Sequence, residues 1–386
     1  MQRIAVLDAL RGLAALTVVL EHCLISLPAF NRANGYRASG KTWVDVFTYT
    51  PLHLIWDGHE AVIFFFLLSG FVLTLPFLAG RRLPYPGYLV KRFCRLYIPY
   101  VVVVLLSWAL LALGFANQPV AAKENGMSSW FEDIWSHPVT PMVLFHYLLM
   151  TGKDTHNLDV SSWSLVHEMR ISIVFPLLVF ALRRLPTILS APLCAGLIVV
   201  ASAWYDTIPC RFGATLYYMG FFAFGVLLAK HRQAVRDFIQ DLSRKTKAAL
   251  LIAALLIYNV DWFPAVHNWF GERRPGIDMV IGAAAALVIA LATGSRQMKV
   301  WIGKRPLVWL GNISFSLYLI HPVVLSGCVY ALDGLLPHRW IILLVPPVSI
   351  VAAYVMYRLV EWPSIRLGHQ FAAAIMQSPQ TGGRAA

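Results

Sequence analysis

Charge is what this chain has least of. Asp, Glu, Lys and Arg make up 13% of its 386 residues, about half the share usual in a soluble domain. Hydrophobic residues make up 58% and the mean hydropathy is +0.64, which excludes an ordinary water-soluble globule. Cysteine is scarce as well. Cys23, Cys94, Cys194, Cys210 and Cys328 are scattered, with no zinc-ligand spacing among them, so buried inert thiols are expected and a metal site is not. There is no internal repeat and no sign of a second domain. Two partial motifs each lack the residue that would make them work. "HEMRI" at 167–171 begins like a zinc-protease helix, but Ile171 stands where the second histidine would bind. Gly152 and Lys153 have no glycine five residues before them, so they are not a phosphate loop.

What the chain does have is long apolar runs. Ten are long enough, or nearly so, to span a bilayer: about 10–28, 59–79, 96–116, 163–182, 188–205, 213–230, 247–262, 276–293, 307–330 and 339–360. They predict an all-α, polytopic integral membrane protein, and the plasma (inner) membrane is its expected location. The first run carries Asp8, Arg11, Glu21 and His22, so it reads as a span and not as a removable signal peptide. The stretch 141–151 is too short to cross and is expected to be re-entrant or interfacial. With the N-terminus in the cytoplasm, 21 of the 32 lysines and arginines fall on inside segments. That asymmetry favours ten spans with both termini cytoplasmic. It also accounts for most of the net charge of +13, which is therefore no sign of nucleic-acid binding. Residues 1–366 are read as one transmembrane domain, and 367–386, ending "QSPQTGGRAA", as a short cytoplasmic tail expected to be disordered.

Ionised groups inside such runs are costly and usually functional. In the first run Arg11 and His22 are eleven residues apart. That is three helical turns plus about 20°, so they share a face, separated along the axis by about 16.5 Å. At the start of the third run Arg92 and Arg95 are neighbours at i and i+3. The fourth run carries Glu168, placed by rise per residue near the depth of His22. The expectation is two levels: arginines at an inner mouth, a histidine and a carboxylate at an outer depth. Glu21, 100° from His22 around the helix, need not share its face.

Six segments in order make the chain similar to a known family. "LDALRGLAALTVVLEH" carries an Arg-x10-His opening (Arg11, His22), and "FFFLLSGFVLT" a Phe-Phe-x-x-Ser-Gly-Phe block with Ser69. "KRFCRLYIP" carries Arg92 and Arg95, and "WSLVHE" carries Glu168. "LGNISFSLYLIHPVV" carries His321, with Phe315 where tyrosine is usual, and "VEWP" carries Glu361. Over Asp8 to about Pro363 the chain resembles the membrane-bound acyltransferase family 3, the integral-membrane sugar and polysaccharide O-acyltransferases. The resemblance implies transfer of an acyl group, usually acetyl, from acyl-coenzyme A to a hydroxyl on an extracytoplasmic polysaccharide or lipid-linked sugar.

The residue map suits that chemistry. Arginines at an inner mouth (Arg11, Arg92, Arg95) suit the phosphates of a cytoplasmic coenzyme A donor. No permanently bound cofactor is expected. The pantetheine arm is comparable in length to the rise from Arg11 to His22. A neutral His22 can take the proton of an attacking hydroxyl, with Glu168 orienting it or holding the sugar. Direct transfer and an acyl-histidine intermediate both remain open. Trp43, Trp56, Trp130, Phe131 and Trp135 crowd the outer segments, where they can stack on a sugar or anchor the interface. The competing reading is a transporter or flippase for a sugar or an anionic metabolite. Carriers use the same buried charges, but here there are no paired, broken spans in two halves.

Overall fold

The computed structural model describes residues 4–80, 84–114, 126–153, 155–270 and 275–377. Its regular structure is helical throughout, with no strand among the described residues. Inside a bilayer the backbone finds no water, so apolar runs satisfy their amides within themselves. Each of the ten runs holds one long helix: α1 Ala5–Ile25, α2 Gly58–Leu78, α3 Tyr85–Ala112, α4 Ser162–Arg184, α5 Thr187–Ala203, α6 Phe212–Lys230, α7 Arg244–Tyr258, α8 Pro275–Gly294, α9 Ser314–Leu332 and α10 His338–Met356. Seven of the described helices, α2, α3, α4, α6, α8, α9 and α10, are long and apolar enough to cross a membrane. α1 joins them only together with the short helix Pro28–Asn34, from which it is bent by 113°. α5 has 17 residues and α7 has 15. The stretch read as re-entrant or interfacial folds as an eight-residue helix, Pro141–Leu148, capped by the Thr140 hydroxyl. Arg3, Arg81, Arg82 and Arg384, which entered the charge count above, lie outside the described residues.

One boundary differs from the expectation. The tail read as disordered from 367 is, as far as Gln377, part of a helix, α11 Trp362–Gln377. A five-residue π-helical segment, Tyr357–Glu361, joins it to α10. α11 lies along α3, with Gly87 facing Ala372 and Gly368 facing Cys94. Small residues at these crossings let the helices approach, a packing signal too sparse to stand out in the sequence. Residues 378–386 lie outside the described residues.

α1 sits at the centre of the bundle, packed against α2, α9, α10 and the short helix Arg305–Asn312. Its approach to that short helix is backbone on backbone. A Cβ on Gly12 would stand 2.5 Å from the Gly311 nitrogen, and one on Gly311 would overlap the Asp8 carbonyl. α2 and α6 meet in the same way, with Gly70 against the Phe222 carbonyl and Gly225 against the Leu67 carbonyl. Residues 126–153 and 155–161 fold over the end of the bundle where α1 stops and α4 starts. Ser128 donates from its amide to the Ser26 carbonyl and from its hydroxyl to the Ile25 carbonyl. Trp135 Nε1 donates to Ser107 Oγ on α3, and Ser107 to the Leu158 carbonyl.

Candidate active site

Five helices, α1, α2, α3, α4 and α9, enclose a cavity of about 120 Å³. Ser69, Arg11, Arg92, Arg95 and Glu168 all line it. Its remaining walls are largely apolar, with Phe65, Val72 and Leu165 among them.

The three arginines are held differently. Arg11 is brought to α9 by the Gly12–Gly311 crossing, and it donates from Nε to Ser314 Oγ and from Nη2 to the Gly311 carbonyl, each at 2.9 Å. Asp8, one turn earlier, pairs with its Nη2 at 3.3 Å. Arg92 is buried, and it donates from Nη2 to Glu168 Oε1 at 2.8 Å and from Nε and Nη2 to Ser172 Oγ. Among the described residues Arg95 has neither a hydrogen bond nor an ion pair, and Glu361 stands within its Coulombic reach. Glu361 itself accepts from Ser316 Oγ at 2.6 Å.

The Arg92–Glu168 pair corrects the two-level map. Rise per residue sets every helix on a common starting plane, but α3 does not begin level with an end of α4. Tyr85, in the first turn of α3, hydrogen-bonds the Ile173 carbonyl midway along α4. Arg92, seven residues further up, therefore comes level with the upper half of α4, where Glu168 and Ser172 share a face at i and i+4. Glu168 makes its bond there and not to His22.

His22 is held by another histidine. Its Nδ1 lies 2.8 Å from His321 Nε2, and His321 Nδ1 lies 3.1 Å from the Leu317 carbonyl. A carbonyl only accepts, so His321 carries its proton on Nδ1 and, when neutral, accepts at Nε2. His22 then donates from Nδ1, and its Nε2 keeps the lone pair. Trp130, from the segment over the bundle end, packs on the His22 ring with centroids 4.8 Å apart. His156 meets Trp130 edge-on at 5.8 Å. Burial holds this loop imidazole below the usual histidine range. Glu21 Oε2 lies 4.0 Å from His22 Nε2, so the carboxylate set aside on helical-wheel grounds reaches the histidine by its side-chain length.

The structure thus gathers the expected residues into two neighbouring groups. His22 and His321 form one, and Arg11, Arg92, Arg95, Glu168 and Ser69 the other. Glu361 stands behind Arg95. Sequence reasoning missed Tyr318 and Ser314, although both lie in the block that ends at His321. Tyr318 is three residues before His321, on the same helix face, a spacing that would have found it. The arrangement offers cations for an anion, a largely apolar cavity beside them, and an oriented nitrogen base.

A family profile described as an acyltransferase domain matches residues 4–358. Acyltransferase MdmB of Streptomyces mycarofaciens is 26% identical over 365 residues, covering 86% of this chain and 87% of that protein. No solved structure matches the chain.

Proposed function

The chain belongs to the acyltransferase 3 family, and from that premise we propose that it transfers an acyl group, acetyl in the simplest case, from acyl-coenzyme A to a hydroxyl. The acceptor in this reading is an extracytoplasmic polysaccharide or lipid-linked sugar. The protein is a multi-pass membrane protein, and we place it in the plasma membrane with ten spans, both termini cytoplasmic and the helix Pro141–Leu148 at the interface. The charge asymmetry supports that topology.

The observation that carries the proposal is the tautomer of His22. Its Nε2 is the lone-pair nitrogen when both rings are neutral, fixed from behind by His321, and the ring of Tyr318, which shares the cavity wall with the three arginines, lies 6.1 Å from that of His321. In the reaction the acceptor oxygen bonds to the thioester carbonyl carbon while its proton passes to His22 Nε2. The carbon–sulfur bond then breaks, and the leaving thiolate takes the proton back from His22. His321 accepts from Nδ1 throughout, holding the ring as it gains charge. Among the described residues Arg95 is the cavity arginine with no hydrogen bond or ion pair, so it is the first ligand for the donor phosphates. Arg11 and Arg92 complete the anion site from fixed positions. Trp130, against His22, is the surface on which the acceptor sugar rests.

The test uses the purified protein in detergent. Release of free thiol from acetyl-coenzyme A and calorimetric binding of coenzyme A are both expected. A protein that binds no coenzyme A and leaves the thioester intact would overturn the reading in favour of a carrier.

A further inference from the structure

Tyr318 belongs to both parts of the site. It lines the arginine cavity, and its ring lies 6.1 Å from that of His321, one turn further along α9. Phe65, another cavity wall, packs against it edge-on at 5.8 Å. Tyr318 therefore stands between the cavity and the histidine pair, with its hydroxyl on the side of Ser164, another cavity wall. There it is 2.7 Å from Ser164 Oγ. Ser164 donates its single hydrogen to the Ser161 carbonyl at 3.2 Å, so Tyr318 is the donor in the tyrosine–serine bond. The phenol is only 8% exposed. It is a buried neutral donor whose acceptor keeps a second bond if the phenol turns away.

Resting on the acyl-transfer reading above, we propose that the Tyr318 hydroxyl turns from Ser164 to the thioester carbonyl oxygen and stabilises the oxyanion. When the acceptor oxygen adds to the carbonyl carbon, the carbonyl π electrons move onto that oxygen, and the acceptor's proton goes to His22 Nε2. The tetrahedral oxyanion accepts the Tyr318 hydrogen bond. It then re-forms the carbonyl as the carbon–sulfur bond breaks and the thiolate takes the proton from His22. Tyr318 neither gains nor loses a proton over the cycle. A buried donor of this kind needs no reorganisation of water at the moment charge develops, so it acts at full strength.

The experiment compares Tyr318→Phe with Ser164→Ala in the full-length protein, with acetyl-coenzyme A as donor and water as acceptor. Both variants break the same link between α4 and α9, but only the first removes the donor. Tyr318→Phe is expected to lower kcat by about 10²–10³-fold, with KM and coenzyme A affinity held within about twofold. Ser164→Ala is expected to lose less than about tenfold. Equal losses in the two variants would assign the hydroxyl to helix packing and overturn the proposal. So would a well-folded Tyr318→Phe within about threefold of the parent while His22→Ala is inactive; the acyl-transfer reading would then stand alone. A parent that binds no coenzyme A and releases no thiol overturns both. Should Tyr318→Phe fail to fold, 3-fluorotyrosine at position 318 keeps the shape and makes the phenol more acidic. A more acidic phenol is a stronger hydrogen-bond donor, so this variant should keep kcat within about threefold of the parent, and a loss of about 10²-fold or more, with folding and coenzyme A affinity intact, would overturn the proposal.

Discussion

The arginine cavity and the histidine pair lie side by side and are built by opposite means. In the cavity, charge is held by charge and by backbone: Asp8 and Gly311 fix Arg11, and Glu168 fixes Arg92. At the histidine pair one imidazole fixes another, and a helix carbonyl fixes the second. Yet each region leaves one nitrogen group without a hydrogen bond among the described residues, the Arg95 guanidinium in the first and His22 Nε2, 4.0 Å from Glu21 Oε2, in the second. A site for a polyanion can spend most of its cations on holding itself together, provided one remains uncommitted. A base has to be oriented by something that does not compete for its lone pair, and a carbonyl-anchored imidazole meets that need.

The sharpest way to break this comparison is to remove the open group at the histidine end. His22→Ala is expected to lose about 10²–10⁴-fold in turnover, the usual worth of general-base catalysis, with coenzyme A affinity unchanged. A folded variant with near-parental thiol release would show that the lone pair is not used. Next comes its support. His321→Ala should cost about 10²-fold, because His22 loses the acceptor that selects its tautomer. His321→Gln, whose side-chain oxygen can accept from His22 Nδ1, should recover part of that loss. Identical rates in the Ala and Gln variants would remove orientation as the explanation.

In the cavity the expected effects are smaller and fall on binding. Arg95→Ala should weaken coenzyme A about tenfold and leave the melting temperature where it was, since it breaks no internal bond. Arg92→Ala should weaken binding and also lower the melting temperature, because it strands Glu168. Stranding a fully buried partner costs about 3–5 kcal/mol, and less is expected here because the Glu168 side chain keeps 24% of its surface open. If the two variants lose affinity and stability in the same proportion, the distinction between open and committed arginines fails.

The smallest effect concerns the segment over the bundle end. Asp159 is fully buried there, with one oxygen accepting from the Ser161 amide and hydroxyl, and burial pushes its carboxyl up to about 7. The folded protein keeps this proton at pH values where the unfolded chain, near 4, has lost it. Its contribution is therefore fully present at low pH and is lost as the pH rises through about 7. Melting in detergent at about pH 5 and about pH 8 should show a fall for the parent that Asp159→Asn reduces. Parallel curves would show that the carboxyl is not neutral in the folded state.

Within this site the sequence was informative where the physics is local. Arg11 and His22 occupy one helix, so their spacing could be worked out from the rise per residue, and the helix Ala5–Ile25 runs unbroken between them. The same arithmetic failed for Glu168, because it compares two helices whose starts are not level. It also failed for Glu21, whose long side chain bridges the angle that separates it from His22 around the helix. The disordered reading of 367–377 failed because helix α11 is ordered by what it packs on, and α3 is far away in the chain.

By itself the sequence determined the helical class, the membrane character and the family. All of these follow from composition, periodicity and short motifs, which act within a helix or over a few residues. Only the tertiary structure decided the partners: His321 behind His22, 299 residues away, and Glu168 on Arg92, 76 residues away, with Arg95 left open. The reason is that the relative height and rotation of two helices depend on where small residues such as Gly12 and Gly311 let backbones touch. That contact is a property of the assembled bundle, and no single helix contains it.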